Sequence, residues 1–185
     1  MHKENAPPDA LAVLQKIEDG GARVLNMYRA VAHSPAAGEA FIRLGATLLR
    51  KTKLSPKLRE LVILRIAHLC GSEYEWRQHV PVALELGVTQ EHIDAIPTWQ
   101  ASRTFSDPER AALKFTDEVT QNVTVRDETF QSLRRFFDEQ EIVELTLANA
   151  YWGAVARVLV ALQVDVDVQS MGSAEELMGR RQRPS

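Results

Sequence analysis

The segment Leu54–Ile96, LSPKLRELVILRIAHLCGSEYEWRQHVPVALELGVTQEHIDAI, decides the fold. Ser55-Pro56 is a helix start: a capping serine, then a proline at the first helical position, where a missing N–H costs nothing. Behind it Leu58, Leu61, Val62, Leu64, Ile66, Ala67 and Leu69 make the helix apolar over most of its surface, as in a buried element. Glu60 and Arg65 interrupt that surface, so each needs a partner or a route to water. Gly71 stops the helix. Ser72 and Glu75 have the spacing of a capping box for the next one, which is expected to run to about Leu86, bend near Pro81 and end at Gly87. Thr89 caps a third, short helix that ends before Pro97.

Working outward, the same signals recur. On the N-terminal side, helices are expected from Asp9, over Ala22–Ala32 after the Gly20-Gly21 break, and from Ser34-Pro35 to about Lys51. On the C-terminal side, a polar connection over Thr98–Ser106 leads to a start at Ser106-Asp107-Pro108-Glu109. A shorter helix begins at Asp127. A long one begins at Asp138 and is apolar nearly all round from Ile142 to Val164. Val164–Val168 alternates, but a lone strand has nothing to pair with, so it reads as an extended exit. The reading is an all-α single domain over residues 9–170 with about eight helices. A loose tail covers residues 1–8 and a polar tail residues 171–185.

Composition narrows the function classes. With 185 residues, 45% of them apolar, the chain buries a real core. A net charge of -3 without an internal basic run argues against a nucleic-acid partner. No apolar run reaches membrane-spanning length, and the N-terminus lacks the apolar core of a signal peptide. The single cysteine, Cys70, forms no internal disulfide, which fits a cytoplasmic protein.

Glu75 and His79 lie four apart on one helix and share a face. If the preceding helix packs antiparallel, Glu60 approaches that face, and two carboxyls with an imidazole in a closed pocket make an acid–base site. The plainer readings are a capping glutamate at Glu75 and packing residues at Tyr74 and Trp76, which also suit the wall of an apolar pocket. Metal binding by Glu75 and His79 with His68 or Glu60 lacks any zinc-site spacing, so no metal or cofactor is expected. Cys70 reads as a small buried hydrophobe, with a reactive thiol as the alternative.

Ser55-Pro56-Lys57-Leu58-Arg59-Glu60-Leu61, Ala67-His68-Leu69, Tyr74-Glu75-Trp76 with His79, and Ala83 through Gly87 together resemble the carboxymuconolactone decarboxylase family, in the alkyl hydroperoxidase D-like superfamily. The resemblance implies an all-α, often trimeric or hexameric protein. Its peroxidase branch carries a glutamate, a Cys-x-x-Cys pair and a histidine. Glu60 and His79 match the outer two, and Ser72 and Glu75 occupy the cysteine positions. Disulfide relay chemistry needs two thiols, so the resemblance points to the decarboxylase branch, which acts on a carboxylated lactone in aromatic catabolism. It implies a lyase with Glu60, Glu75 and His79 as catalytic groups. Arg65 or Arg59 would neutralise a substrate carboxylate. The alternatives are a thiol peroxidase using Cys70 and a non-catalytic small-ligand binder.

Overall fold

The computed structural model describes residues 7–168 together with Ser173; the expected tails fall largely outside them. Among the described residues the chain forms nine α-helices, one 3-10 helix and no strand. They are α1 (Pro8–Asp19), α2 (Asn26–Val31), α3 (Pro35–Arg50), α4 (Pro56–Cys70), α5 (Glu73–Glu85), α6 (Gln90–Ala95), the 3-10 helix Ile96–Ala101, α7 (Asp107–Asn122), α8 (Asp127–Leu133) and α9 (Glu139–Ala161). No described helix is long and apolar enough to cross a membrane.

The centre is α4. Leu61, Val62, Ile63, Leu64 and Ile66 on it are fully buried, each a contribution of roughly 1.5–3 kcal/mol relative to exposure. Because α4 is apolar all round, it serves two cores. Val62, Ile63 and Ile66 pack with Phe115 of α7 and Leu145, Trp152 and Val155 of α9. Leu61 and Leu64 pack on the other side with Ala83, Ile93, Trp99 and Phe105. The Ser55 hydroxyl accepts from the Leu58 N–H, and Gly71, in the left-handed region at φ +64°, ends the helix and turns the chain back into α5. The start of α4 is tied to α9: the Glu144 carboxylate accepts the Leu54 N–H at 2.8 Å, and Lys53 bonds to Asp138. Asp138 and Glu141 cap α9 reciprocally, at 2.9 and 3.0 Å.

Several expectations change. The second helix is shorter than Ala22–Ala32: residues 22–25 stay outside it, Leu25 is extended, and α2 begins only at Asn26. The reason lies at the far end of the chain. The extended exit after α9 passes here, and the Asp167 carboxylate accepts the Asn26 N–H at 3.0 Å, so that α2 starts where its first free donor meets an anion. The polar connection Thr98–Ser106 begins inside a 3-10 helix with Trp99 buried. Helix α5, by contrast, ends at Glu85 close to the expected Leu86, with Pro81 inside it. The last helix is covered on one side only, since Val143, Leu147 and Val160 are about half exposed.

Helices α2 and α3 meet at Gly38, where an added Cβ would stand 2.3 Å from the Val31 carbonyl oxygen. That oxygen is backbone and cannot swing aside. Gly38→Ala is therefore expected to destabilise the protein by about 1–3 kcal/mol, read as a Tm lower by roughly 2–4 °C per kcal/mol. An unchanged Tm would mean that the corner is looser than the structure shows.

Candidate active site

The Gly71-Ser72 corner lays α5 back along α4. Glu60, on the second turn of α4, thereby reaches the inward face of α5, and its Oε2 lies 2.7 Å from Nδ1 of His79. Glu60 is fully buried and His79 nearly so. With Nδ1 donating to the carboxylate, the imidazole tautomer is fixed and Nε2 is left for other chemistry. On the other side of the carboxylate, Nε of Arg59 lies 3.7 Å from Glu60 Oε1. Arg59 is itself buried; burial pulls its pKa down, and Glu60 opposes that. Trp152 of α9 stands edge-on to the His79 ring, at 6.2 Å between centroids and 85°.

Glu75 is one turn before His79 on the same face. The expected capping box does not form. The Glu75 side chain is turned inward and 1% exposed, and neither carboxyl oxygen has a hydrogen-bond partner. Burial pushes its pKa well above the ordinary carboxylate range. The nearby Ser72 hydroxyl only partly opposes this, and the Glu60 charge adds to it. Burial thus favours the protonated form of Glu75 in the folded protein.

Glu75, His79 and Trp152 border a cavity of about 360 Å³, within the size range of small-molecule sites. Glu75, Gln78 and His79 form one end of the lining, beside Tyr74, Tyr151 and Trp152; α1, α2 and α3 supply the opposite wall. Gly45 admits Tyr151 to this wall, for a Cβ there would lie 2.2 Å from the phenol oxygen. Tyr74 is anchored through its hydroxyl, which accepts the Met27 N–H and donates to Asp167.

Not every residue singled out in the sequence comes to this place. Arg65 faces the other way. Its guanidinium makes a forked pair with Asp117, at 2.6 and 3.1 Å, and donates to the Ile96 and Pro97 carbonyls. It braces α4 against α7 and the 3-10 helix and has no part in the cavity lining. Trp76 is half-buried and packs on the second core. His68 is exposed. Cys70 is half-buried beside the first core, off the cavity lining; burial raises its pKa, Arg157 opposes and Glu75 adds. Among the described residues, no three His, Cys, Asp or Glu side chains converge as a metal site requires. Sequence reasoning missed Gln78, whose Oε1 is buried without a partner, although it lies three residues after Glu75 on the same face. It also missed the α3 face of Glu39, Ile42, Arg43, Ala46, Leu49 and Arg50, which has helical spacing.

Residues 35–118 match the model of the carboxymuconolactone decarboxylase family. The uncharacterized protein YdfG of Bacillus subtilis is 24% identical over 115 residues, 61% of this chain and 78% of YdfG. A crystal structure from Agrobacterium tumefaciens, of a protein of unknown function provisionally named as the antioxidant defence protein AhpD, superposes with a TM-score of 0.69 at 26% identity, covering 73% of this chain and 93% of that one. An uncharacterized peroxidase-related protein from Silicibacter shares the fold at a TM-score of 0.77 and 16% identity, covering 92% and 91%. The chain is thus similar to the carboxymuconolactone decarboxylase family over residues 35–118 and has the helical fold of the AhpD-like structures.

The raised pKa of Glu75 has a consequence for stability. Below the unfolded value of about 4.5, Glu75 is protonated in both states and contributes no pH dependence. Above it the unfolded chain loses the proton while the folded chain keeps it, so this group lowers stability progressively up to its raised pKa. Glu75→Gln removes that dependence. Urea unfolding at a series of pH values should show the variant gaining on the parent as pH rises from about 4.5. A difference independent of pH would mean that Glu75 ionises like an exposed glutamate.

Proposed function

We propose that this chain is an acid–base enzyme of the lyase type, working without a cofactor on a small carboxylated lactone or related cyclic substrate. The observation that carries the reading is the buried Glu60–His79 pair, 2.7 Å apart, at one end of a cavity beside a buried Glu75 whose carboxyl oxygens have no hydrogen-bond partner. An imidazole held by a carboxylate, next to a carboxyl whose burial favours its protonated form, supplies the groups that general acid–base catalysis needs.

In a decarboxylation the carbon–carboxylate bond breaks, carbon dioxide leaves, and the electron pair passes into a conjugated enolate. Protonated His79, held by Glu60, stabilises the charge that develops there. Glu75 then gives its proton to carbon and recovers one from solvent, so one proton is consumed for each carbon dioxide released. The same groups serve a lactone isomerisation, with proton removal and return in place of carbon loss. Arg65 and Arg59 do not fit the carboxylate-binding role first assigned to them, because one is forked onto Asp117 and the other is buried beside Glu60. The half-exposed apolar side chains of α9 favour a homo-oligomer.

The thiol reading is weaker. Cys70 lies off the cavity lining, its pKa is raised, and Ser72 and Glu75 stand where the relay cysteines would be. Turnover of carboxymuconolactone should fall by at least about a hundredfold in His79→Ala and Glu75→Gln and survive Cys70→Ser. Hydroperoxide reduction, run in parallel, should be absent. Peroxide reduction that depends on Cys70, or lactone turnover indifferent to His79, would overturn the proposal.

A further inference from the structure

The chain has three tyrosines, and all three line the cavity. They are not equivalent. The Tyr74 hydroxyl is taken, since it accepts the Met27 N–H and donates to Asp167. Tyr28, on α2, has Arg50 as its charged neighbour. The Tyr151 hydroxyl, on α9, makes no hydrogen bond to a described residue. Its ring is nevertheless held in one place. Phe41 lies at 4.9 Å between centroids, and Trp152 stands edge-on at 5.2 Å and 87°. The phenol oxygen is seated against Gly45 of α3, in the space that a Cβ would need. A buried hydroxyl is ordinarily satisfied. One that is fixed and has no protein partner is set to donate to whatever enters the cavity.

The neighbours of Tyr151 give that donor a use. Burial raises its pKa, and Tyr28 and Glu75 raise it further, so the phenol stays a neutral O–H group. Glu75 is close enough to be felt at the phenol. A fixed O–H donor and a buried carboxyl thus stand beside each other in one cavity, with His79 in the same lining. The charge of Glu60 is already answered by His79 and Arg59.

We propose that the Tyr151 hydroxyl, together with His79, holds the substrate oxygen on which negative charge develops, which makes Tyr151 a catalytic residue contributed by α9. This rests on the lyase reading and deepens it. As the carbon–carboxylate bond breaks, the electron pair moves through the conjugated system to a carbonyl oxygen. Tyr151 donates a hydrogen bond to that oxygen and keeps its own proton, while Glu75 protonates carbon. Oxygen and carbon belong to one conjugated unit, so their donors must stand side by side, as Tyr151 and Glu75 do. The substrate class narrows accordingly: the carboxylate that leaves is attached to a carbon conjugated with a ring carbonyl. A saturated acid would offer Tyr151 no oxygen to hold.

Tyr151→Phe removes one oxygen and no hydrogen bond to a described residue, so Tm should be unchanged or higher. Carboxymuconolactone turnover should lose a hundred- to a thousandfold in kcat with KM nearly unchanged. A second readout needs no turnover. 4-Nitrophenol, titrated calorimetrically at a pH where the free probe is a phenolate, carries the negative oxygen of an enolate. The parent should bind it, and Tyr151→Phe should weaken that binding by at least about tenfold. 4-Nitroanisole, which has no ionised oxygen, should bind both proteins alike. No phenolate binding by the parent, phenolate binding that the variant retains, or a lower Tm in the variant would overturn the proposal. Phenolate binding that depends on Tyr151 in a protein without lactone turnover would sink the lyase reading and leave the oxyanion site standing. Lactone turnover unchanged in Tyr151→Phe would do the reverse.

Discussion

A carboxylate with no exposure to solvent, Glu60 on the most buried helix of the chain, is the constraint from which the site follows. A buried charge left alone is strongly destabilising, and breaking such a pair costs about 3–5 kcal/mol. Glu60 must therefore be met, and it is met from two sides, by His79 at 2.7 Å and Arg59 at 3.7 Å. The first contact fixes how α5 returns along α4, because His79 reaches Glu60 only when one particular face of α5 turns inward. Glu75 and Gln78 share that face and are carried inside with it. The capping role that would have kept Glu75 at the surface is given up as a result.

The cavity beside this pair is closed by parts distant in the chain. Helices α1–α3 form its outer wall, and they are held by the residues that follow α9. Asp167 accepts from the Asn26 N–H and from the Tyr74 hydroxyl, joining the start of α2, the start of α5 and the end of the chain at one carboxylate. On the opposite side of α4, Asp117 does comparable work. It accepts from Arg65, from the Trp99 indole and from Gln100, locking the 3-10 helix onto α7. The polar residues of α4 are thus divided between a side that meets α5 and a bracing side.

That division explains what the sequence could and could not say. The helix starts were legible because their chemistry is local: Ser55-Pro56, Thr89, Ser106 with Glu109 and Asp138 with Glu141 each declare themselves within four residues. The approach of Glu60 to His79 followed from one antiparallel turn. The role of Arg65 did not. It lies five residues beyond Glu60, about 140° further round the helix at 3.6 residues per turn, and its partner Asp117 is 52 residues away. The shortened α2 was hidden for the same reason, since the carboxylate that sets its start is 141 residues distant. Glu75 was misread in the other direction. A serine followed by a glutamate three residues later satisfies the capping rule, and only the burial demand of Glu60, acting through His79, turns that side chain inward.

Ser72 and Glu75 stand where the resemblance to the peroxidase branch places its two cysteines. A thiol pair moves electrons, and its surroundings must favour thiolate and allow a second sulfur to approach. Here the sole cysteine is off the cavity and its thiol is pushed toward the neutral form. The position facing the cavity holds instead a carboxyl whose burial favours the protonated form. Next to it stands a histidine whose Nδ1 is committed to Glu60. An oriented imidazole and a buried carboxylate suit proton transfer as well as they suit thiol chemistry. Burial favours the protonated form of Glu75, and with Ser72 and Glu75 at the two positions where a relay pair would stand, this face of α5 carries a carboxyl in place of thiols.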